Sequence, residues 1–105
     1  MKITDESDPE IQAELGGRLR AARIGLNLSQ AAVAREAGIS KRSLERIEAG
    51  QTTTLTSFLR LLRHFGLLAN LNLLIPDPDD SPILEVLARS QKRLRASARH
   101  GQGSL

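Results

Sequence analysis

The chain has 105 residues, enough for one modest core, and no cysteine, which excludes disulfides and thiolate metal sites. Phe58 and Phe65 are its only aromatic residues, so the core must come from Leu, Ile, Val and Ala, a composition suited to helix packing and poor for a β-sandwich. Net charge is +3, no apolar run is long enough to span a bilayer, and MKITDESDPE is acidic where a signal peptide would be basic and then apolar, so a cytoplasmic protein is expected.

The charge is unevenly placed. Residues 1–14 carry net −4, residues 15–50 net +4, residues 51–88 net −2 and residues 89–105 net +5. Two basic blocks are the pattern of a chain that meets a polyanion, although solvated helix faces would give the same totals.

Residues 1–8 are polar and read as a flexible N-terminus. Asp8 followed by Pro9 and Glu10 reads as a helix start, with Asp8 as the cap. Ile11, Leu15, Leu19 and Ala22 then recur at helical spacing up to Gly25. Gly16 and Gly17 in that helix mean close packing or a frayed first half. Ser29 caps a second helix with Gln30 first, Val33 and Ala37 facing the core and Ala34 small enough for a close crossing. Gly38 ends it in a left-handed conformation. Ile39 plugs the turn, Ser40 caps a third helix whose buried side is Leu44 and Ile47, and Gly50 closes that helix. A fourth helix places Leu55, Phe58, Leu59, Leu62 and Phe65 on one stripe before Gly66.

In LLANLNLLIP the period is ambiguous. Leu67, Ala69, Leu71, Leu73 and Ile75 alternate as one face of a strand, while Leu67, Leu71, Leu74 and Ile75 also align on a helix. The chain holds no second strand candidate, so a strand here needs a partner molecule. Pro76 to Asp80 form an acidic-proline linker, and Ser81 and Pro82 can start a last helix containing Ile83, Leu84, Val86 and Leu87. Beyond it Arg89, Lys92, Arg93, Arg95 and Arg99 form a basic tail, open to reading as a DNA arm, a partner-binding helix or a solubilising end.

Counted from Gln30, small or apolar residues fall at positions four, five and eight, with glycine ninth, Ile39 tenth, Leu44 fifteenth and Ile47 eighteenth. This spacing lets two helices meet steeply across a short turn over a shared core. The free side of the third helix then carries Lys41, Arg42, Ser43 and Arg46. Arg and Lys donate to guanine O6 and N7 in the major groove, and Ser donates or accepts there. Ser29, Gln30 and Ser40 sit at helix N-termini whose unpaired N–H groups suit phosphate oxygens.

LGGRLRAARIGLNLSQAAVAREAGISKRSLERIEAG resembles the Cro/C1-type (Xre) helix-turn-helix domain of phage repressors and bacterial regulators. The marks are Arg23 to Gln30 (R-x5-S-Q), the A-G-I-S turn and I-E-x-G ending at Gly50. The resemblance implies an all-α, lambda-repressor-like bundle of four to five helices over 9–66 and double-stranded DNA as partner. It also implies phosphate and base contacts by Gln30, base reading by Lys41, Arg42 and Arg46, and backbone contacts by Gln51 or Thr52. The family's Arg–Glu brace maps onto Arg23 and Glu48.

Further on, TTTLTSFLRLLRHFGLLANLNLL is similar to HipB-type antitoxins, which implies a strand over about 68–75 within a 67–76 dimerisation segment, pairing between two chains. It would be followed by a linker and basic helix or tail over 77–105. Together these imply a homodimeric repressor on a palindromic operator, with half-sites about one helical turn apart. The alternatives are an antitoxin that also neutralises a toxin, and a protein-interaction module that does not bind DNA. His64 and His100 make no metal or nucleophile set, and Asp77, Asp79 and Asp80 lack the rest of a calcium loop. No enzyme activity, metal or cofactor is expected.

Overall fold

The computed structural model describes residues 2–79 and 85–95. The chain divides into two compact units, residues 1–68 and 69–105. In the first unit four helices follow in order: α1 (Asp8–Gly25), α2 (Gln30–Ala37), α3 (Lys41–Glu48) and α4 (Leu55–His64).

Each start is fixed by a hydroxyl that accepts an otherwise orphaned N–H. Ser29 accepts from Ala32, Ser40 from Ser43 and Thr54 from Ser57. At α1 the cap is Ser7, which accepts from Glu10, and not Asp8, which is already the first helical residue beside Pro9. Asp8 instead places its negative charge at the positive end of the helix dipole.

At the end of α2, Gly38 takes φ 77°, and the N–H groups of Gly38 and Ile39 return to the carbonyls of Arg35 and Ala34. That left-handed residue reverses the chain within one step and brings α3 onto α2.

The core is Leu19, Val33, Ala34, Leu44, Ile47 and Leu61, with Leu28, Ala37, Ile39, Phe58, Phe65 and Leu67 packed around it. In α4 the buried stripe is Phe58, Leu61, Leu62 and Phe65, with Leu61 fully buried; Leu55, expected on the stripe, is exposed. Leu55 lies seven residues before Leu62, on the same side of the helix, but in the first turn of α4, where it stays 71% exposed. Ala22 of α1 is likewise exposed, and Gly16 takes its expected place on the buried face. Two polar ties fasten α4 to α2 and its turn: Arg60 Nη1 donates to Gly38 O at 2.9 Å, and His64 Nε2 lies 2.8 Å from Glu36 Oε2.

The strand expected over 68–75 does not form in the single chain. Leu68–Asn70 is a 3₁₀ turn that runs into a one-turn helix, α5 (Leu71–Leu74), and Ile75 N–H donates to Leu71 O at 2.8 Å. A strand without a neighbour would leave its row of N–H and C=O groups unpaired, whereas helical turns pair them within the segment. Leu67, expected on the dimer face, packs on the core, while Ala69, Leu73 and Ile75 are exposed and Leu71 is half-buried. Residues 85–95 form a further helix, α6; the expected start at Ser81 and Pro82, with Ile83 and Leu84, lies outside the described residues, as do Arg99 and His100. Among the described residues no helix is long and apolar enough to cross a membrane.

Candidate nucleic-acid interface

Helix α3 buries Leu44 and Ile47, three residues apart, and so turns its other side outward. Lys41, Arg42 and Arg46 are exposed on that side and Ser43 is half-buried. Lys41 Nζ lies 3.8 Å from Glu45 Oε1, an exposed i,i+4 pair that competes weakly with any external anion. Arg46 Nη2 reaches Thr52 Oγ1 at 3.5 Å, a long contact that leaves its fork available. Arg42 has no hydrogen bond or ion pair among the described residues, so all its donors face outward.

Beneath this face lies the expected brace. Arg23 Nε donates to Glu48 Oε2 at 2.7 Å and Arg23 Nη2 to Glu48 Oε1 at 3.0 Å, a two-point fork between α1 and α3. Arg23 Nη1 also donates to Leu28 O at 2.9 Å, which fixes the loop entering α2. The hydrogen bonds to Glu48 hold the Arg23 guanidinium above its already high range, against the opposing effect of burial.

Gln30 joins this network: its Nε2 donates to Glu48 Oε1 at 3.0 Å. One amide hydrogen is thereby committed inward, leaving the carbonyl oxygen and the second hydrogen for an outside partner. Ser29 and Ser40 each accept one cap hydrogen bond, and Ser40 also donates to Ser43 Oγ at 2.8 Å. Both serines therefore shape the helix ends whose free N–H groups face outward.

Next to Arg46 is a polar cleft of about 370 Å³ lined by Ser43, Arg46, Thr52, Thr53, Thr54 and Ser57. Thr52 stands in it; Gln51 instead lines a smaller apolar cleft with Leu15, Gly16 and Phe58. Thr53, Thr54 and Ser57 escape a reading of the sequence as site residues, although Thr54 and Ser57, three apart at a helix start, are the local signal for such a hydroxyl-lined end. The polar cleft thus joins Ser43 and Arg46 of α3 to the hydroxyls at the start of α4, and Gln30 at the start of α2 is tied to the end of α3 through Glu48.

No curated protein matches the chain. The family model of a helix-turn-helix domain matches residues 14–72, more than half of the 105. That span holds the larger part of α1, all of α2, the Gly38 turn, α3 and α4, and the chain belongs to the helix-turn-helix domain family.

Proposed function

We propose that this protein is a sequence-specific DNA-binding regulator, acting as a repressor that occupies a palindromic operator as a homodimer. The observation that carries the reading is the outward side of α3, where Arg42 is unpaired and Lys41 and Arg46 are only weakly engaged while Leu44 and Ile47 lock the helix beneath them. In this reading α3 lies in the major groove; Arg42 and Arg46 donate to guanine edges and Lys41 to a base or the adjacent phosphate. The N-terminal N–H groups of α2, with Gln30, and the hydroxyl-lined start of α4 take phosphate oxygens and set the register. The mechanism uses no cofactor. Dimerisation is supported by the contiguous exposed side chains Leu73, Leu74 and Ile75, each at least 70% exposed in the single chain.

Selection of bound sites from random duplex DNA is the test, with the mass in solution measured alongside. The expected product is an inverted repeat. Arg42→Ala then weakens binding to the selected site by about 1–3 kcal/mol and relaxes preference at one position of each half-site. Failure to enrich any sequence, or an Arg42→Ala variant with unchanged preference, removes the reading.

A further inference from the structure

We infer that α6, residues 85–95, is a second duplex-binding surface that holds phosphates without reading bases; this rests on the DNA-binding reading above. The helix carries Arg89, Lys92, Arg93 and Arg95 against a single acid, Glu85. At 100° per residue Lys92, Arg89 and Arg93 fall within one arc together with Glu85, Arg95 and Val86 border it on either side, and Leu87 and Leu94 lie opposite. All four cations are exposed, and none forms a hydrogen bond or ion pair among the described residues.

Two helices of the same chain show what basic residues do when their partners are internal. In α1, Arg23 is forked onto Glu48 and Arg18 pairs with Glu14; in α3, Lys41 has Glu45 four residues on. In α6 the single acid, Glu85, stands four residues before Arg89 but forms no ion pair with it among the described residues, and Lys92, Arg93 and Arg95 have no acid on the helix to match them. A row of like charges three and four residues apart costs the isolated helix stability, and a polyanion removes that cost by neutralising the row. A phosphate backbone supplies negative charge at close, regular intervals, and binding releases its condensed counterions. Recognition of this kind needs no fixed base contact, so long flexible donors on an open helix suffice where α3 needs a braced one.

The experiment compares salt dependence on two duplexes, the selected site and an unrelated sequence, for the full chain and for Arg89→Gln, Lys92→Gln, Arg93→Gln and Arg95→Gln combined. Gln keeps the helix propensity, and unchanged far-ultraviolet dichroism verifies that. The expected result is weaker binding to both duplexes by a similar factor, with the slope of log affinity against log salt shallower by about 0.9 for each phosphate no longer neutralised and the order of preferred bases unaltered. A companion variant with the three arginines changed to Lys retains the wild-type slope. An unchanged slope in the Gln variant, with site preference intact, overturns the role of α6 while leaving the reading of α3 standing. Binding of both duplexes without preference, abolished in the Gln variant, supports α6 and overturns the α3 reading. A wild-type chain that binds neither duplex overturns both.

Discussion

Glu48 gathers three N–H donors on its two carboxylate oxygens, from Arg23 Nε, Arg23 Nη2 and Gln30 Nε2, with only 3% of its side chain exposed. Removing Arg23 alone leaves a buried carboxylate short of two donors, and removing Glu48 alone leaves a guanidinium that is 12% exposed without its counter-charge. Either single change costs about 3–5 kcal/mol. Removing both with apolar replacements costs much less than the sum, because no charge is stranded. A double-mutant cycle with Arg23→Met and Glu48→Leu, read by denaturant unfolding, is therefore expected to show coupling of well over ~1 kcal/mol. Additive losses would dismiss the brace. Since the hydrogen bonds to Glu48 raise the Arg23 pKa above its ordinary value, its contribution is complete below that ordinary value and is lost only as pH rises through the raised one, so moderate alkali does not release it. The pair is legible in the sequence through the family resemblance, whereas Gln30's inward hydrogen bond is not: it depends on where the end of α3 falls relative to the start of α2.

Between elements, Gly16 and Gly17 separate two roles that look identical in the sequence. A Cβ on Gly16 would collide with the Ile47 carbonyl oxygen and stand 3.2 Å from both Glu48 O and Gly50 N, all backbone atoms of α3 and its cap. On Gly17 it would meet nothing within 4 Å. Gly16→Ala must push α1 off α3 and is expected to destabilise by about 1–3 kcal/mol or more. Gly17→Ala keeps the packing and stiffens the unfolded chain, so it stabilises by roughly 0.5–1 kcal/mol. Denaturant melts of the two variants check this, and shifts of the same sign would dissolve the distinction. From the sequence the pair reads only as close packing or fraying, because the deciding atoms belong to another element. The same limit explains the other differences. The three later helix starts and the Gly38 turn are local chemistry and legible as such; the burial of Leu61 in place of Leu55 depends on which neighbours the fold brings to α4. Residues 67–75 satisfy both periods, and the choice between them is made by whether a second strand exists to pair with. Of the candidate site, the α3 side follows from its own buried residues, while Thr53, Thr54 and Ser57 join it only through the fold.

On the scale of the assembled molecule, the proposed homodimer makes a prediction separable from folding. Leu73 and Ile75 are 80% and 74% exposed, so replacing both with Ser removes little buried area from the single chain and leaves its stability within about ±0.5 kcal/mol. A two-fold interface uses the same patch from each chain, so each change acts twice. The double variant is therefore expected to sediment as one chain where the wild type sediments as two, with unfolding of the dilute chain unaltered. DNA binding follows the mass. A dimer neutralising about 6 to 10 phosphates gives a log–log salt slope on the order of −5 to −9, and a single chain on a half-site gives about half that. Loss of operator affinity with a halved slope and an intact fold is the outcome that pairing at this patch requires. A variant that keeps both the two-chain mass and the slope would place the dimer contact elsewhere, and a wild type that binds its operator as one chain would end the dimer model.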